Sequence, residues 1–351
     1  MECKWVSREN ENIKCIREAT SSGYCLFHKP NKTSREIALF EAYIKKAEIS
    51  DFRGFCFDGD FSIRKVINYK YNKLKFSEAV FNNKADFSNF VFETSIDFTK
   101  TEFKSSVDFR NSVFLNNCIF NKTIFNEKYI NEQVFEKTNF NGQKLIAEKC
   151  VFFPRLDGVV FSPYTKFILK NVNYSEKNCI CGKNNYKIAR IQAKQIEDSE
   201  NIGYYYYNER NYTSNFLKSR KYNNYSDYLA NDFFDFLSKY IIGYGEKPWR
   251  LLFISVFIIS LFALIYMFIG INTADFGFVK LTLIDNTYSF EQVIAYYLES
   301  WYFSMITFST VGYGDITVFG VFGKLAVCLE VFLGTTIHAT WTSVLFSRLI
   351  Q

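Results

Sequence analysis

Proline and histidine are scarce, at four and two in 351 residues. Also missing near the start is any apolar stretch of the kind that directs secretion. Met1 to Ser22 is polar and charged, so the chain is expected to begin in the cytoplasm. No block of consecutive Lys or Arg stands out and the net charge of +6 is modest, which leaves no basic tail for nucleic acid or lipid headgroups and names no partner. No nucleophile beside a base, no paired carboxylates and no phosphate-cradling loop can be read, which argues against an enzyme. The nine cysteines, in a chain expected to face a reducing compartment, read as thiols or metal ligands before disulfides. What is abundant is aromatic: 40 Phe and 24 Tyr bring the aromatic fraction to 19%, which calls for a periodic use of Phe.

From Leu251 to Ile271 runs LLFISVFIISLFALIYMFIGI, 21 residues without a charge. As a helix that is long enough to cross a hydrocarbon core of about 30 Å. Pro248 stands where a helix start tolerates proline, and Trp249 suits the headgroup level. Lys239, Lys247 and Arg250 argue that this end is cytoplasmic. A second apolar stretch, Leu325 to Phe346, carries Glu330, His338 and several hydroxyl residues, so it should face a bundle interior or water rather than lipid. Between the two, Tyr288 to Phe308 is too short and too polar for a third crossing but is patterned as a helix. Directly after it comes Thr310-Val311-Gly312-Tyr313-Gly314-Asp315. Non-helical backbone exists at membrane depth only where it lines a water-filled path, because lipid offers its N–H and C=O groups no partner. The residues therefore predict two spans with a re-entrant loop.

This hexapeptide, between two apolar helices and behind a short aromatic one, resembles the pore of the potassium channel superfamily over residues 248 to 351. The resemblance implies that the carbonyl oxygens of Thr310, Val311, Gly312 and Tyr313, with the Thr310 hydroxyl, stack as rings that replace the hydration shell of K⁺. Gly312 and Gly314 would allow backbone angles that other residues resist. One loop per chain implies a homotetramer. The rival reading is a glycine turn between a soluble helix and a strand, against which the membrane setting argues. Trp301-Tyr302-Phe303 is implied to form an aromatic cuff bracing the filter. Ile306 stands where some relatives carry a Glu that pairs with the filter Asp, so Asp315 needs another partner. Gly334 is either an inner-helix hinge or a close helix-packing contact. Glu330 resembles an acidic residue of small prokaryotic channels and is expected behind the short helix, or else is a snorkelling or protonated carboxyl. His338 reads either as a pH-sensing modulator or as a hydrogen-bonded structural residue. Thr336, Thr340, Thr342 and Ser343 would soften the inner cavity wall, while Asp275, Asp285, Glu291 and Asp315 are placed to concentrate cations at the outer mouth.

Upstream, Phe76, Phe81, Phe87, Phe92, Phe98, Phe103, Phe109, Phe114, Phe120 and Phe125 alternate steps of five and six, a period of neither helix nor flat strand. The residues two before each Phe, such as Ala79, Ala85, Thr101, Val107, Ser112, Cys118 and Thr123, are mostly small or β-branched, which suits a narrow interior. Repeats that cannot bury their own face stack as a solenoid. The pattern resembles the pentapeptide-repeat family, whose fold is a four-sided right-handed β-helix. Weaker matches at Phe52, Phe57, Phe135, Phe140, Leu145 and Phe161 extend it to about 50 to 170. Some relatives mimic DNA, but Asp51 to Val151 holds 15 basic against 13 acidic residues, too balanced for a polyanion mimic.

Cys3, Cys15, Cys25 and His28 fall close together near the start, with Cys25 and His28 in a turn-like Gly23-Tyr-Cys-Leu-Phe-His28. Zinc takes four such ligands tetrahedrally, and a small loop without a core would gain from it. The spacing is not that of a common finger, and free cytosolic thiols are the alternative. Cys179-Ile-Cys181 is too tight to read as a site. Tyr186 to Tyr240 has helical periodicity with a break expected beside Gly203, and resembles the helix pair that joins repeat domains to small channel pores.

The expected architecture is multidomain. Residues 1–35 form a small Cys/His segment, 50–170 a cytoplasmic right-handed quadrilateral β-helix, 186–245 an α-helical connector, and 248–351 an all-α two-span pore domain with a re-entrant loop. The resemblances imply passive K⁺ conduction by a homotetramer in the lipid bilayer of the cell membrane. Zn²⁺ is a second candidate ion, an unidentified cytoplasmic protein a candidate partner, and nucleic acid none. The alternatives are a weakly selective cation channel and a membrane-anchored scaffold with a non-conducting pore.

Overall fold

Within the Phe-rich region Val80 pairs in parallel with Glu102 and Glu102 with Ile124, a period of 22 residues that spans two five-residue and two six-residue steps. That period is one coil of a β-solenoid. The computed structural model describes residues 1–46, 49–66, 74–219, 233–273, 277–281 and 289–350; Asp275, Asp285 and Tyr288 lie outside the described residues. The chain divides into two compact units, Met1–Lys221 and Tyr222–Gln351.

In the first unit very short parallel strands stack into four sheets, the largest of them five strands deep. Equivalent phenylalanines lie one above another: Phe98 on Phe120 at 5.0 Å between ring centroids, Phe109 on Phe135 at 5.0 Å and Phe92 on Phe114 at 4.5 Å, all nearly coplanar. Those spacings are close to the ~4.8 Å separation of hydrogen-bonded strands, so the backbone ladder sets the ring stack. Ala79, Ala85, Thr101, Val107, Ser112, Cys118 and Thr123, each two before a Phe, are interior, and the hydroxyls among them are satisfied there. Thr101 Oγ donates to the Phe76 carbonyl at 2.7 Å, Ser112 to Phe87 at 2.7 Å and Thr123 to Phe98 at 2.8 Å. Each bond reaches the previous coil, which is how a hydroxyl sits in a Phe core without an unpaired donor.

Five-residue steps bend through a left-handed residue two after the Phe: Glu78, Asn89, Lys100, Asn111 and Lys122 all have φ between 51° and 62°. A 3₁₀ turn at Glu127–Tyr129 interrupts the ladder, after which Phe135 and Phe140 resume it in register with Phe109 and Phe114.

The end of the solenoid is closed by two helices, Cys179–Gln195 and Ser199–Ser219. Tyr205 is fully buried, donates to the Phe167 carbonyl at 3.0 Å and accepts from the Leu169 amide at 3.3 Å, while Gln192 donates to the Thr165 carbonyl at 2.9 Å. Phe167 and Leu169 belong to the last strand, Lys166–Lys170, so the helix pair covers a sheet edge that would otherwise invite further pairing. The break between the helices lies at Ile196–Asp198 rather than beside Gly203, which sits inside the second helix. Glu197, with φ of 57°, makes the turn without glycine.

The second unit holds the helices Pro248–Ile269, Phe290–Phe308 and Gly320–Ile350. The first and third are long and apolar enough to cross a membrane. The first span ends earlier than its apolar run: Gly270 turns the chain with φ of 100°, and Ile271 enters a strand. That strand, Ile271–Thr273, pairs antiparallel with Gly277–Val279 on one side and with Thr317–Val318 on the other. This small sheet, which the sequence pattern does not announce, ties the end of the first span to the chain just after the hexapeptide.

Candidate functional site

The short helix Phe290–Phe308 starts with a reciprocal cap. Ser289 Oγ accepts from the Gln292 amide, and the Gln292 side chain accepts from the Ser289 amide at 3.0 Å. Glu291, read from sequence as a mouth charge, is in its first turn, where a carboxylate complements the positive end of the helix dipole. At the other end the helix runs straight into the hexapeptide, and the Ile306 carbonyl accepts from the Val311 amide at 2.9 Å and the Gly312 amide at 3.2 Å. These bonds pin the start of the loop to the last helical turn.

The loop backbone alternates. Thr310, Gly312 and Gly314 have φ of 60°, 54° and 81°, whereas Val311, Tyr313 and Asp315 are not in that region. Glycine adopts such angles freely and Thr310 does so at a cost, so the alternation is imposed by the structure rather than by composition. Sequence reasoning named Thr310 for its carbonyl and hydroxyl and the two glycines for their backbone angles, but not the left-handed backbone of Thr310, which has no compositional signal. Val311 and Tyr313 are exposed in the single chain, at 52% and 73%.

Asp315 finds its partner in Tyr302, whose hydroxyl donates to Asp315 Oδ2 at 2.9 Å, while the Ile316 amide donates to Oδ1 at 3.1 Å. Of the aromatic trio, Trp301 turns instead to the first span, donating from Nε1 to Ser260 Oγ at 3.3 Å, and Phe303 packs edge-on against Tyr266 at 4.9 Å.

Glu330 is fully buried behind the short helix. Tyr266 of the first span donates to its Oε2 at 2.6 Å, and Ser304 of the short helix meets its Oε1. Ser304 Oγ also donates to the Ile259 carbonyl at 2.9 Å. One carboxyl thus links three helices, by hydrogen bonds that a dry interior strengthens. Tyr266 and Ser304 escaped the sequence reading; a hydroxyl within each apolar helix was the available signal. Glu330→Gln keeps an acceptor for Tyr266 and offers Ser304 a donor, so that variant is expected to melt within about 1 kcal/mol of wild type. Glu330→Ala leaves the Tyr266 hydroxyl without its acceptor beside a cavity and is expected to lose about 2–4 kcal/mol. Thermal melting of the detergent-solubilised protein separates them, and equal melting of the alanine variant and wild type would dismiss the linkage.

Gly334 lies under the C-terminal end of the short helix, where an added Cβ would sit 2.1 Å from the Phe308 carbonyl oxygen. His338 is exposed in the chain with its ring 5.5 Å from Phe308. Thr336, Thr340 and Thr342 donate to the carbonyls of Phe332, Thr336 and His338 in their own helix, at 2.7–2.9 Å. Their hydroxyl protons are therefore spent internally, leaving oxygen lone pairs outward.

In the other unit, Cys3, Cys15, Cys25 and His28 are all buried and their ligand atoms lie within 4.8 Å of one another. Cys179 and Cys181 are buried where the first helix of the pair begins.

Residues 256–351 match the family model described as ion channel. No curated protein and no solved structure matches the chain. The matched region contains the first span from Val256 onward, the short helix, the hexapeptide and the second span, which with the two apolar helices supports an ion channel and a membrane protein.

Proposed function

We propose that the chain is one subunit of a homotetrameric, potassium-selective channel whose filter is Thr310 to Asp315. The observation that carries this is the positive φ at Thr310, Gly312 and Gly314, every second residue of the loop. Alternating left- and right-handed residues turn successive carbonyls to one side, and four such loops around an axis would supply stacked rings of oxygens in place of water around a dehydrated K⁺. The negative end of the short helix dipole abuts the start of the loop and favours a cation there. Tyr302 on Asp315 would hold the outer end of the filter, and Glu330, through Ser304, would hold the short helix behind it. Gly334 lets the inner helix approach, and His338 and the threonines line the cavity below.

The basic residues Lys239, Lys247 and Arg250 before the first span favour a cytoplasmic first unit. There the solenoid is taken as a right-handed, four-sided pentapeptide-repeat β-helix, a reading supported by its four parallel sheets. It serves as a rigid module for assembly or for docking a cytoplasmic protein, with the helix pair and the segment after it as the connector to the pore.

The test is the reversal potential of purified protein in planar bilayers with K⁺ on one side and Na⁺ on the other. A potential near the K⁺ equilibrium value is expected. Near-equal permeability to K⁺ and Na⁺ overturns selectivity, and absence of any conductance in reconstituted protein favours the scaffold.

A further inference from the structure

The first 28 residues form almost no regular structure, only two isolated antiparallel bridges, Glu2 with Glu18 and Val6 with Lys14. Yet they bury three cysteines and a histidine, at 7%, 7%, 2% and 4% exposure for Cys3, Cys15, Cys25 and His28. A segment too small for its own core does not collect four soft donors at its centre by hydrophobicity alone, since imidazole and thiol each leave a polar atom to satisfy.

Three of the six donor separations have the size of a coordination shell, and all six lie within 4.8 Å. Cys15 Sγ and Cys25 Sγ are 3.8 Å apart, Cys25 Sγ and His28 Nδ1 3.3 Å, and Cys3 Sγ and His28 Nδ1 3.6 Å. A tetrahedral ion about 2.3 Å from each sulfur and about 2.0 Å from nitrogen requires edges of roughly 3.8 Å between sulfurs and roughly 3.5 Å between sulfur and nitrogen. The sulfur pair is far beyond the ~2.05 Å of a disulfide.

The surroundings orient these donors inward. His28 Nε2 donates to the Arg53 carbonyl at 3.0 Å, which places the ring proton on Nε2 and leaves the Nδ1 lone pair facing the sulfurs. The Trp5 ring stacks flat on the imidazole at 4.4 Å and Phe55 meets it edge-on, so the ring cannot turn away. The Cys25 amide donates to Cys3 Sγ at 3.2 Å, the kind of bond a thiolate ligand accepts.

The cluster also touches the start of the solenoid. Between Cys25 and His28 sits Phe27, whose carbonyl accepts from the Cys56 amide at 2.9 Å. Cys56–Phe57 is the first strand of its sheet, with Val80–Phe81 on one side. The Phe27 carbonyl therefore satisfies a donor on the open edge, as the helix pair does at the far end. Further along, Glu78 accepts from Ser7 Oγ at 2.6 Å, from the Arg8 amide at 2.8 Å and from the Glu9 amide at 3.1 Å, fastening the same segment across the second coil.

We propose that Cys3, Cys15, Cys25 and His28 form a closed structural Zn²⁺ site whose ion fixes the Cys25–His28 knuckle as the N-terminal cap of the solenoid. Four protein ligands fill the tetrahedron, so no position remains for substrate or water and the role is structural rather than catalytic. Three thiolates and an imidazole favour Zn²⁺ over the hard cations Mg²⁺ and Ca²⁺. Without the ion the edge strand is uncovered, which exposes the solenoid to end-to-end association.

The full chain, purified in detergent without chelator or polyhistidine tag, is expected to hold about one zinc per chain by elemental analysis. Cys25→Ser is expected to reduce this at least tenfold, whereas Cys328→Ser, at an exposed cysteine outside the cluster, leaves it unchanged. Because the Cys25 variant can fail to fold, wild-type protein produced in medium with Co²⁺ in place of zinc supplies a second readout. The absorption bands of tetrahedral thiolate-bound cobalt are expected. Wild type with less than about a tenth of a metal ion per chain and no such bands overturns the site, as does zinc retained in full by Cys25→Ser. Metal content is read independently of ion flux, so either result stands whatever the pore conducts.

Discussion

Gly312→Ala is expected to abolish K⁺ flux while leaving subunit assembly intact. At φ of 54° an L-residue is strained by about 1–2 kcal/mol. In the proposed tetramer four such loops would share one path, so the conducting backbone would be disfavoured by roughly 4–8 kcal/mol, or three to six orders of magnitude in population. Within the chain a Cβ at Gly312 meets nothing inside 4 Å, so the substitution strains the loop without displacing the helices around it. Thr310 already holds a left-handed backbone at a similar cost, and a second such residue per subunit removes the margin. Ion flux from liposomes together with cross-linking of the detergent-solubilised protein makes the comparison. Wild-type flux from the alanine variant would refute the assignment of Thr310 to Asp315 as the filter.

The second large effect is expected at Gly334, and it distinguishes the two roles that the sequence leaves open. In Gly334→Ala the new methyl would lie 2.1 Å from the Phe308 oxygen and 3.0 Å from its carbonyl carbon, both backbone atoms with little freedom to retreat. The inner helix and the short helix must separate, at a cost of about 1–3 kcal/mol or more per subunit. Because Phe308 is two residues before Thr310, the displacement reaches the loop, and K⁺ flux should fall together with thermal stability. If Gly334 served only as a hinge, the alanine variant would melt like wild type and differ in gating alone. Thermal melting and single-channel recording on the same preparation decide between them.

The sequence made the membrane helices legible because an uncharged run of spanning length has few other uses. It made the solenoid legible because the Phe spacing fits no single helix or strand. In both cases the signal is local and periodic, so it survives without knowledge of what packs on what. The helix pair was recognisable as helical, but its destination was not: Tyr205 and Gln192 reach Phe167 and Thr165, and nothing in the periodicity of Tyr186 to Tyr240 names those carbonyls. The expected break at Gly203 failed for a related reason, since a glycine inside a packed helix is tolerated when burial of its neighbours outweighs its propensity.

By itself, the sequence determined the composition of each part: an uncharged span, a glycine-bearing hexapeptide behind a short helix, a Phe repeat, and four soft metal donors near the start. Tertiary structure alone decided the pairings. Glu330 joins Tyr266 and Ser304 across sequence gaps of 64 and 26 residues, and Cys3 meets His28 across 25. Thr101 reaches the Phe76 carbonyl across another 25. Periodicity records which face of an element is buried, whereas a hydrogen bond or ligand shell depends on which two elements share that interior. Only the closed chain, in which burying one partner makes the other necessary, fixes that choice.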